Sequence, residues 1–356
     1  MMYKDRNEFL ELINRLDLKV GCEIGVYEGE YSLKILNNTN LDKLYLVDSW
    51  KHLNNYDDIS NHDDNYFEKM LNRVKEKTSK YNDRVKIIRG LSDESINNFS
   101  DNFFDFVYID ANHSYIGAKN DINLCYNKIR PGGIISGHDY VDGILPQGNF
   151  GVKSAVDEFV EKNNLKLYTT NEKEWKTWYI IKPVNIILHC TENYYDTSLN
   201  LIKILNLYNV NIYLYEINFN KNPNIKNVNI INIKDINIGE ISFNGNINNM
   251  SNLDVIRSVF LKSKIILNTL NKLKLNECVY LDSDLMPTRN INYIFKYFKD
   301  IKNYPLIQKG TDEYLIKDGK GNPFTENGFD ETKILEYPLM NKLGVNINNR
   351  THYSIT

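Results

Sequence analysis

The chain lacks a dominant charge. Its 43 Lys and Arg stand against 46 Asp and Glu, a formal net charge of -3 over 356 residues, with the two signs interleaved. A basic stripe of the kind that sequence-independent phosphate binding needs is therefore missing, and nucleic acid is not an expected partner. Long apolar runs are missing too: no stretch approaches the ~20 residues of a membrane span. Met1 to Lys19 reads as a polar-apolar helix without a signal-peptide hydrophobic core, so the expected compartment is the cytoplasm. Cysteine is scarce. Cys22, Cys125, Cys190 and Cys278 lie far apart, three of them inside apolar runs, and they read as buried free thiols.

What is present is globular: 42% hydrophobic and 25% charged residues sit near the averages of ordinary folded domains. The length exceeds what one hydrophobic core usually fills, so two domains are expected. Asn, Ile, Lys and Tyr are abundant, most densely after residue 183. This reads as a coding bias rather than a prion-like tract, because apolar periodicity persists through it.

From the N-terminus, short apolar runs alternate with helical stretches, the pattern of a parallel sheet with crossover helices. The candidate strands are KVGCEIG, KLYLVDS, VKIIRG, FDFVYID and GGIISGHD. Between them Tyr31 to Leu36, Tyr66 to Lys77, Ser92 to Asn97 and Ala118 to Lys128 carry helical spacing or good helix formers. A helix over Val152 to Glu161 and two further strands, in KLYTT and WKTWYIIKP, bring this series to Pro183, the expected boundary between a domain at 1–182 and one at 183–356. The second series reads as strand VNIILHC, helix Ser198 to Leu207, strands in VNIYLYEI and NVNIINI, a long helix from Leu253 to about Leu273 and strand ECVYLDSD.

The first strand ends in Glu23-Ile24-Gly25-Val26-Tyr27-Glu28-Gly29 and runs into a helix. A glycine-bearing turn there lets the backbone approach a ligand, and the following helix offers free N–H groups. The second strand ends in Asp48, 23 residues after Gly25, where a doubly wound fold puts a carboxylate on ribose hydroxyls. The spacing is not the GxGxxG of dinucleotide enzymes, and Glu23 lies within the strand, so a dehydrogenase is disfavoured. Asp110, His113, His138 and Asp139 all fall at the carboxyl ends of neighbouring strands, where open α/β sheets bind ligands. Each histidine taken alone could simply cap a strand end, but two His and two Asp together point to a pocket.

At these residues the chain resembles the class I S-adenosylmethionine-dependent methyltransferases. The likeness is to the small-molecule O-methyltransferase group that reads E-I-G-x-x-x-G with a serine following, here Ser32. It continues through YLVDSW, IDANHSYIGAKNDI and PGGIISGHDY, and covers most of residues 18 to 181. The resemblance implies a Rossmann-like fold, S-adenosylmethionine as cofactor and a small-molecule or glycan acceptor. It implies Glu23, Gly25, Val26, Tyr27 and Gly29 around the methionine moiety, Asp48 with Ser49 at the ribose, Ser92 near the adenine and Asp110 closing the site. Asn112 departs from the group, which more often has Asp there.

Some related O-methyltransferases place Mg²⁺ through an Asp after strand four and a polar pair after strand five, here Asp110, His138 and Asp139. Such a cation would acidify and orient the acceptor hydroxyl. Alternatively His113 or His138 acts as general base without metal, since imidazole titrates near neutrality. Hard Mg²⁺ prefers oxygen ligands, which favours the metal-free base. Tyr115 and Tyr140 read as rings packing over the cofactor or at the pocket rim.

In the second half, strand ECVYLDSD delivers Asp282 and Asp284 at i, i+2, a pair that can chelate a divalent cation bound to a diphosphate. The segment resembles the D-x-D motif of GT-A glycosyltransferases, which hold a nucleotide-sugar through Mn²⁺ or Mg²⁺. Because few residues follow Asp284, this GT-A-like domain reads as incomplete. The leading expectation is thus an O-methyltransferase acting on a sugar or glycan hydroxyl. The alternatives are a nucleotide-sugar glycosyltransferase with an accessory methyltransferase domain and a binding protein without turnover.

Overall fold

The computed structural model describes residues 3–217 apart from 55, 57 and 207–208, and then 221, 225, 228–232, 265–266, 268–273, 275, 277–282, 307–309, 324–325, 328–329 and 351–355. Two compact units emerge, Met1–Lys182 and Pro183–Thr356.

In the first unit the strands are β1 (Val20–Ile24), β2 (Lys43–Asp48), β3 (Val85–Arg89), β4 (Phe104–Ile109), β5 (Ile129–Gly137), β6 (Asp142–Leu145), β7 (Gly148–Gly151), β8 (Tyr168–Thr169) and β9 (Trp178–Ile181). The helices are α1 (Leu10–Arg15), α2 (Glu30–Asn38), α3 (Asp64–Thr78), α4 (Ser92–Ile96), α5 (Tyr115–Lys128) and α6 (Val152–Lys162). Seven strands form one sheet in the order β3-β2-β1-β4-β5-β9-β8. β1 to β5 are mutually parallel, and β9 runs antiparallel to β5. β6 and β7 pair as a separate hairpin.

Alternation along each strand divides the core between the two faces. Leu44, Leu46, Phe106 and Tyr108 meet Leu10 of α1, Ile35 of α2 and Met70 and Val74 of α3 on one side. Val47, Val107, Ile109 and Ile135 meet Ile96 of α4, Ile122 of α5 and Val156 of α6 on the other. Each fully buried side chain of this size contributes roughly 1.5–3 kcal/mol. Helix starts are set locally: the Asp63 carboxylate accepts the Tyr66 N–H at 2.9 Å, and the Ser114 hydroxyl accepts that of Gly117 at 3.1 Å, each satisfying an orphan donor of the first turn. Because β1 continues to β2 on one side while the chain crosses to β4 on the other, the order reverses between β1 and β4, opening a crevice at their carboxyl ends.

The second unit has β10 (Val184–Cys190), α7 (Tyr195–Leu205), β11 (Val210–Glu216), β12 (Val228–Asn232), β13 (Glu277–Asp282), β14 (Ile307–Lys309), β15 (Phe324–Thr325), β16 (Gly328–Phe329) and β17 (Thr351–Ile355). Its sheet, in the order β12-β11-β10-β13-β17-β14, is parallel throughout. Here too the order reverses, between β10 and β13. Of the long helix expected from Leu253, only 265–266 and 268–272 are described, as helix. Asp282 ends β13 and pairs in register with His189; Asp284 lies outside the described residues. All four cysteines are buried and free. Among the described residues no helix is long and apolar enough to cross a membrane.

Candidate active site

A cavity of about 440 Å³ opens at the carboxyl ends of β1, β2 and β4, with Gly25, Tyr27, Asp48, Ser49, Ser92 and Asp110 on its wall. Gly25 follows β1 at φ +84°, and a Cβ there would sit 1.9 Å from the Asp110 carbonyl oxygen. Only glycine lets β1 and β4 deliver their ends so close together. Asp48 holds the turn after Gly25: its Oδ2 accepts the N–H groups of Val26 at 2.8 Å and Tyr27 at 2.9 Å, and its Oδ1 accepts that of Trp50 at 2.7 Å. A carboxylate offers about four acceptor positions, so one is left for a ligand hydroxyl. The buried Trp50 indole donates to the Tyr27 carbonyl at 2.9 Å and ties the two loops together.

Three residues expected at the cofactor lie off the cavity wall. Glu23 is 1% exposed, bonded by the Ser32 hydroxyl, and burial pushes its carboxyl up to about 8. The Val26 side chain belongs to the hydrophobic core. Gly29, at φ +77°, precedes α2 and faces Val74. All three support the turn from behind: the Glu23 and Val26 side chains turn into the protein, and Gly29 lies against the Val74 side chain.

At the far end of the cavity the Ser92 hydroxyl donates to Asp121 Oδ1 at 2.5 Å. Asp121 lines the same wall; burial raises its carboxyl to about 6, against the opposing pull of the Ser92 bond. Sequence reading passed over it because it sits inside α5, where a lone polar residue gives no signal of facing inward.

Where β4 and β5 end, Asp110, His113, His138 and Asp139 do converge. His113 Nε2 lies 3.1 Å from Asp139 Oδ2 and 3.5 Å from Asp110 Oδ1, while His138 Nδ1 lies 2.7 Å from Asp139 Oδ1 and 4.0 Å from Asp110 Oδ2. A further carboxylate comes from the loop before α3: the His113 Nδ1–H group donates to Asp58 Oδ2 at 2.8 Å. The Tyr56 hydroxyl donates to the same oxygen at 3.1 Å. The His113 ring stacks on Phe150 of β7, 4.9 Å between centroids. Asp58 stands in an acidic, polar stretch without apolar periodicity, so nothing local in the sequence points to its role.

The electrostatics of this cluster bear on the proton. Burial alone would lower the His113 pKa, but the nearby Asp110 carboxylate, the hydrogen bond to Asp58 and the charge of Asp139 override it and raise it to about 10. His138 is likewise raised against burial by Asp139 and Asp110. At neutral pH the His113 imidazole therefore carries its proton, which runs against the expectation of a free imidazole base. Asp110, His113 and Asp139 can each turn a ligand atom to within 4.8 Å of the others. His113 Nε2 is buried and makes no well-directed hydrogen bond. The candidate cation set thus includes His113 where the sequence suggested His138.

Tyr115 bonds Glu158 and Lys119 on the surface of α5 and α6, away from the cofactor cavity. The Tyr140 hydroxyl bonds Asp157, and its ring lines a second cavity.

Residues 22–140 match a family described as "Methyltransferase domain". No curated protein matches the chain. Solved structures similar to it include an O-methyltransferase from Bacillus cereus in complex with SAH (18% identity, TM-score 0.37, 50% of this chain and 80% of that one). They also include spermidine synthase from Thermotoga maritima (16%, 0.35, 50% and 60%). A third is an O-methyltransferase family protein from Burkholderia thailandensis (11%, 0.36, 50% and 59%). The first unit carries a methyltransferase domain on a mixed α/β, Rossmann-like fold.

Proposed function

We propose that the first unit transfers a methyl group from S-adenosylmethionine to a hydroxyl of a small sugar or glycan acceptor. The observation that carries this reading is a single one: the cavity at the β1/β4 reversal ends against the Asp110–His113–Asp139 cluster. The cofactor, when bound, supplies an electrophilic methyl on a sulfonium. Its S–CH₃ bond breaks as the O–CH₃ bond forms, and the acceptor hydroxyl proton must leave.

The chain's own groups divide that work. The turn held by Asp48 and the pair Ser92 and Asp121 fit the two ends of a nucleoside-bearing ligand, polar at ribose and adenine. One of the two carboxylates that flank His113, Asp110 or Asp139, accepts the hydroxyl proton, since the imidazole is already charged. Asp58 and the Phe150 ring keep His113 in one orientation, and that preorganisation contributes to the rate by proximity. Two carboxylates and the buried Nε2 of His113, once that nitrogen has given up its proton, also fit a divalent cation such as Mn²⁺ or Mg²⁺. Asp110, His113 and Asp139 would hold it, and it would supply Lewis acidity toward the acceptor.

For the second unit, the parallel order reversing between β10 and β13, with Glu216 ending β11 and Asp282 ending β13, supports a GT-A-like domain that takes a nucleotide-sugar. That pairing of units is also what favours a sugar as the methyl acceptor. The competing reading makes glycosyl transfer the main activity. Calorimetric titration of the full chain with S-adenosylmethionine, and separately with nucleotide-sugars plus Mn²⁺, tests both. Absence of S-adenosylmethionine binding overturns the first reading. Nucleotide-sugar binding that disappears in Asp282→Ala, with methylation intact, supports the second unit's separate role.

A further inference from the structure

A second cavity, of about 580 Å³, lies beside the cluster and is lined by Tyr140, Leu145, Lys153, Lys173, Trp175 and Lys176 among others. It begins one residue past Asp139. The hairpin β6–β7 forms one side, and the loop 171–176 between β8 and β9 forms the other.

Its aromatic wall is held in place. Trp175 adopts φ +53°, a conformation that a bulky residue takes only where its surroundings enforce it. The enforcing contacts are present. The loop is clamped at its base, where the Thr170 N–H donates to the Thr177 carbonyl at 2.9 Å and the Thr177 N–H to the Thr170 hydroxyl at 2.9 Å. The Trp175 ring stands edge-on to Phe150 at 5.2 Å between centroids, and Phe150 is the ring stacked on His113. A chain of two ring contacts, one edge-on and one stacked, therefore joins this cavity to the cluster. Trp50 and Trp178 are 0% and 1% exposed, whereas Trp175 is partly open.

The charge on the wall is cationic. Lys153 is already engaged by Asp157 at 2.6 Å. Among the described residues no ion pair involves Lys173 or Lys176, and Glu174 is the one carboxylate residue on the lining. Two ammonium groups without acidic partners, beside a rigid ring face, suit a ligand that combines a ring with a compact negative group.

We propose that this cavity is the acceptor site, and that the acceptor is a phosphorylated sugar, with its ring against Trp175, its phosphate at Lys173 and Lys176, and a hydroxyl turned toward Asp110 and Asp139. This rests on the methyl-transfer reading of the neighbouring cavity. It narrows the acceptor from any small sugar or glycan to one that carries a phosphate.

Because Trp175 is the partly open indole and Trp50 and Trp178 are buried, tryptophan fluorescence of the full chain reports occupancy. Glucose 1-phosphate, other hexose phosphates, the parent hexoses and inorganic phosphate are titrated with saturating S-adenosylhomocysteine, in the wild type and in the Lys173→Gln/Lys176→Gln double variant. The expected result has three parts. Hexose phosphates bind at least tenfold more tightly than hexoses, the double variant loses that preference, and added salt weakens it. S-adenosylhomocysteine binding stays unchanged in the variant, which also certifies its fold. Hexoses binding as tightly as their phosphates, a preference that survives in the double variant, or no binding at all each overturns the proposal. Inorganic phosphate binding as tightly as the sugar phosphates overturns it as well, leaving a bare anion site. Failure of S-adenosylhomocysteine to bind the wild type defeats the methyltransferase reading itself, whatever the sugar phosphates do.

Discussion

Asp58 and His113 lie 55 residues apart in the chain, yet Asp58 Oδ2 and His113 Nδ1 meet at 2.8 Å. The side chain of Asp58 is 5% exposed and that of His113 16%. The contact fixes which imidazole nitrogen faces Asp110 and Asp139, the role a supporting carboxylate commonly plays for a functional histidine. Asp58→Asn is expected to lower the methyl-transfer kcat roughly 10–100-fold and to leave the affinity for S-adenosylmethionine within about twofold, since Asp58 does not touch that wall. Initial rates with calorimetry check both halves. An unchanged kcat would remove Asp58 from the mechanism.

Glu23 gives a pH dependence with a definite sign. Its carboxyl is held protonated up to about 8 in the folded chain against an ordinary 4.5. Between those values the folded state binds a proton that the unfolded state has released. Stability from this group is therefore full below about 4.5 and falls as pH rises toward 8, by up to ~1.4 kcal/mol per pH unit. Glu23→Gln keeps the acceptor for Ser32 and has no proton to lose. Urea unfolding at pH 5, 6.5 and 8 is expected to show the variant gaining on the wild type at each step; a constant difference would refute the assignment.

Gly25→Ala introduces a methyl that collides with the Asp110 carbonyl oxygen and sits at positive φ. A destabilisation of about 2–4 kcal/mol is expected, together with loss of cofactor binding, because the β1 and β4 ends must separate. Denaturant midpoints measure the first and calorimetry the second.

The cation reading makes its own prediction. Mn²⁺ or Mg²⁺ is expected to raise the thermal midpoint of the wild type, by mass action on the folded state, and to have no effect on Asp110→Asn or Asp139→Asn. Methyl transfer that is indifferent to chelators, with no thermal shift, would leave proton removal to the two carboxylates alone.

Far from the site, Asp105 and Arg130 form a buried pair at 2.6 Å, with side chains 3% and 8% exposed. Asp105 Oδ2 also accepts the N–H groups of Lys19 at 2.7 Å and Val20 at 2.9 Å, joining the entries of β1, β4 and β5. Asp105→Ala leaves a buried guanidinium and two amides without their partner, and a loss of roughly 3–5 kcal/mol is expected in chemical denaturation. A change below ~1 kcal/mol would mean that water replaces the carboxylate there.

Much of the first unit was legible from the sequence because its signals are local. Alternating apolar residues announce β1 to β5, the glycines that follow β1 announce its turn, and a strand's carboxyl end places Asp48, Asp110 and Asp139 at the crevice without knowledge of the helices. The hairpin β6–β7 was not legible. Its two four-residue strands carry a mixed polar pattern, and their pairing depends on the surface they cover. Nor was it legible that Glu23, Val26 and Gly29 stand behind the cavity wall and not on it, since sequence spacing locates a turn but not the side of it that faces the cavity.

By itself the sequence determined the alternation of strand and helix, the turn chemistry around Gly25 and the set of ionisable residues at the strand ends, since each depends on neighbours a few residues away. Only the tertiary structure decided what those residues do. Asp58 reaches His113, Asp121 faces the cavity from inside a helix, and Phe150 touches both the His113 and the Trp175 ring, all through contacts between segments that the sequence keeps far apart. The proton on His113 is the clearest case. An isolated imidazole titrates near neutrality, and it is the packing of Asp58, Asp110 and Asp139 around one ring that holds it charged.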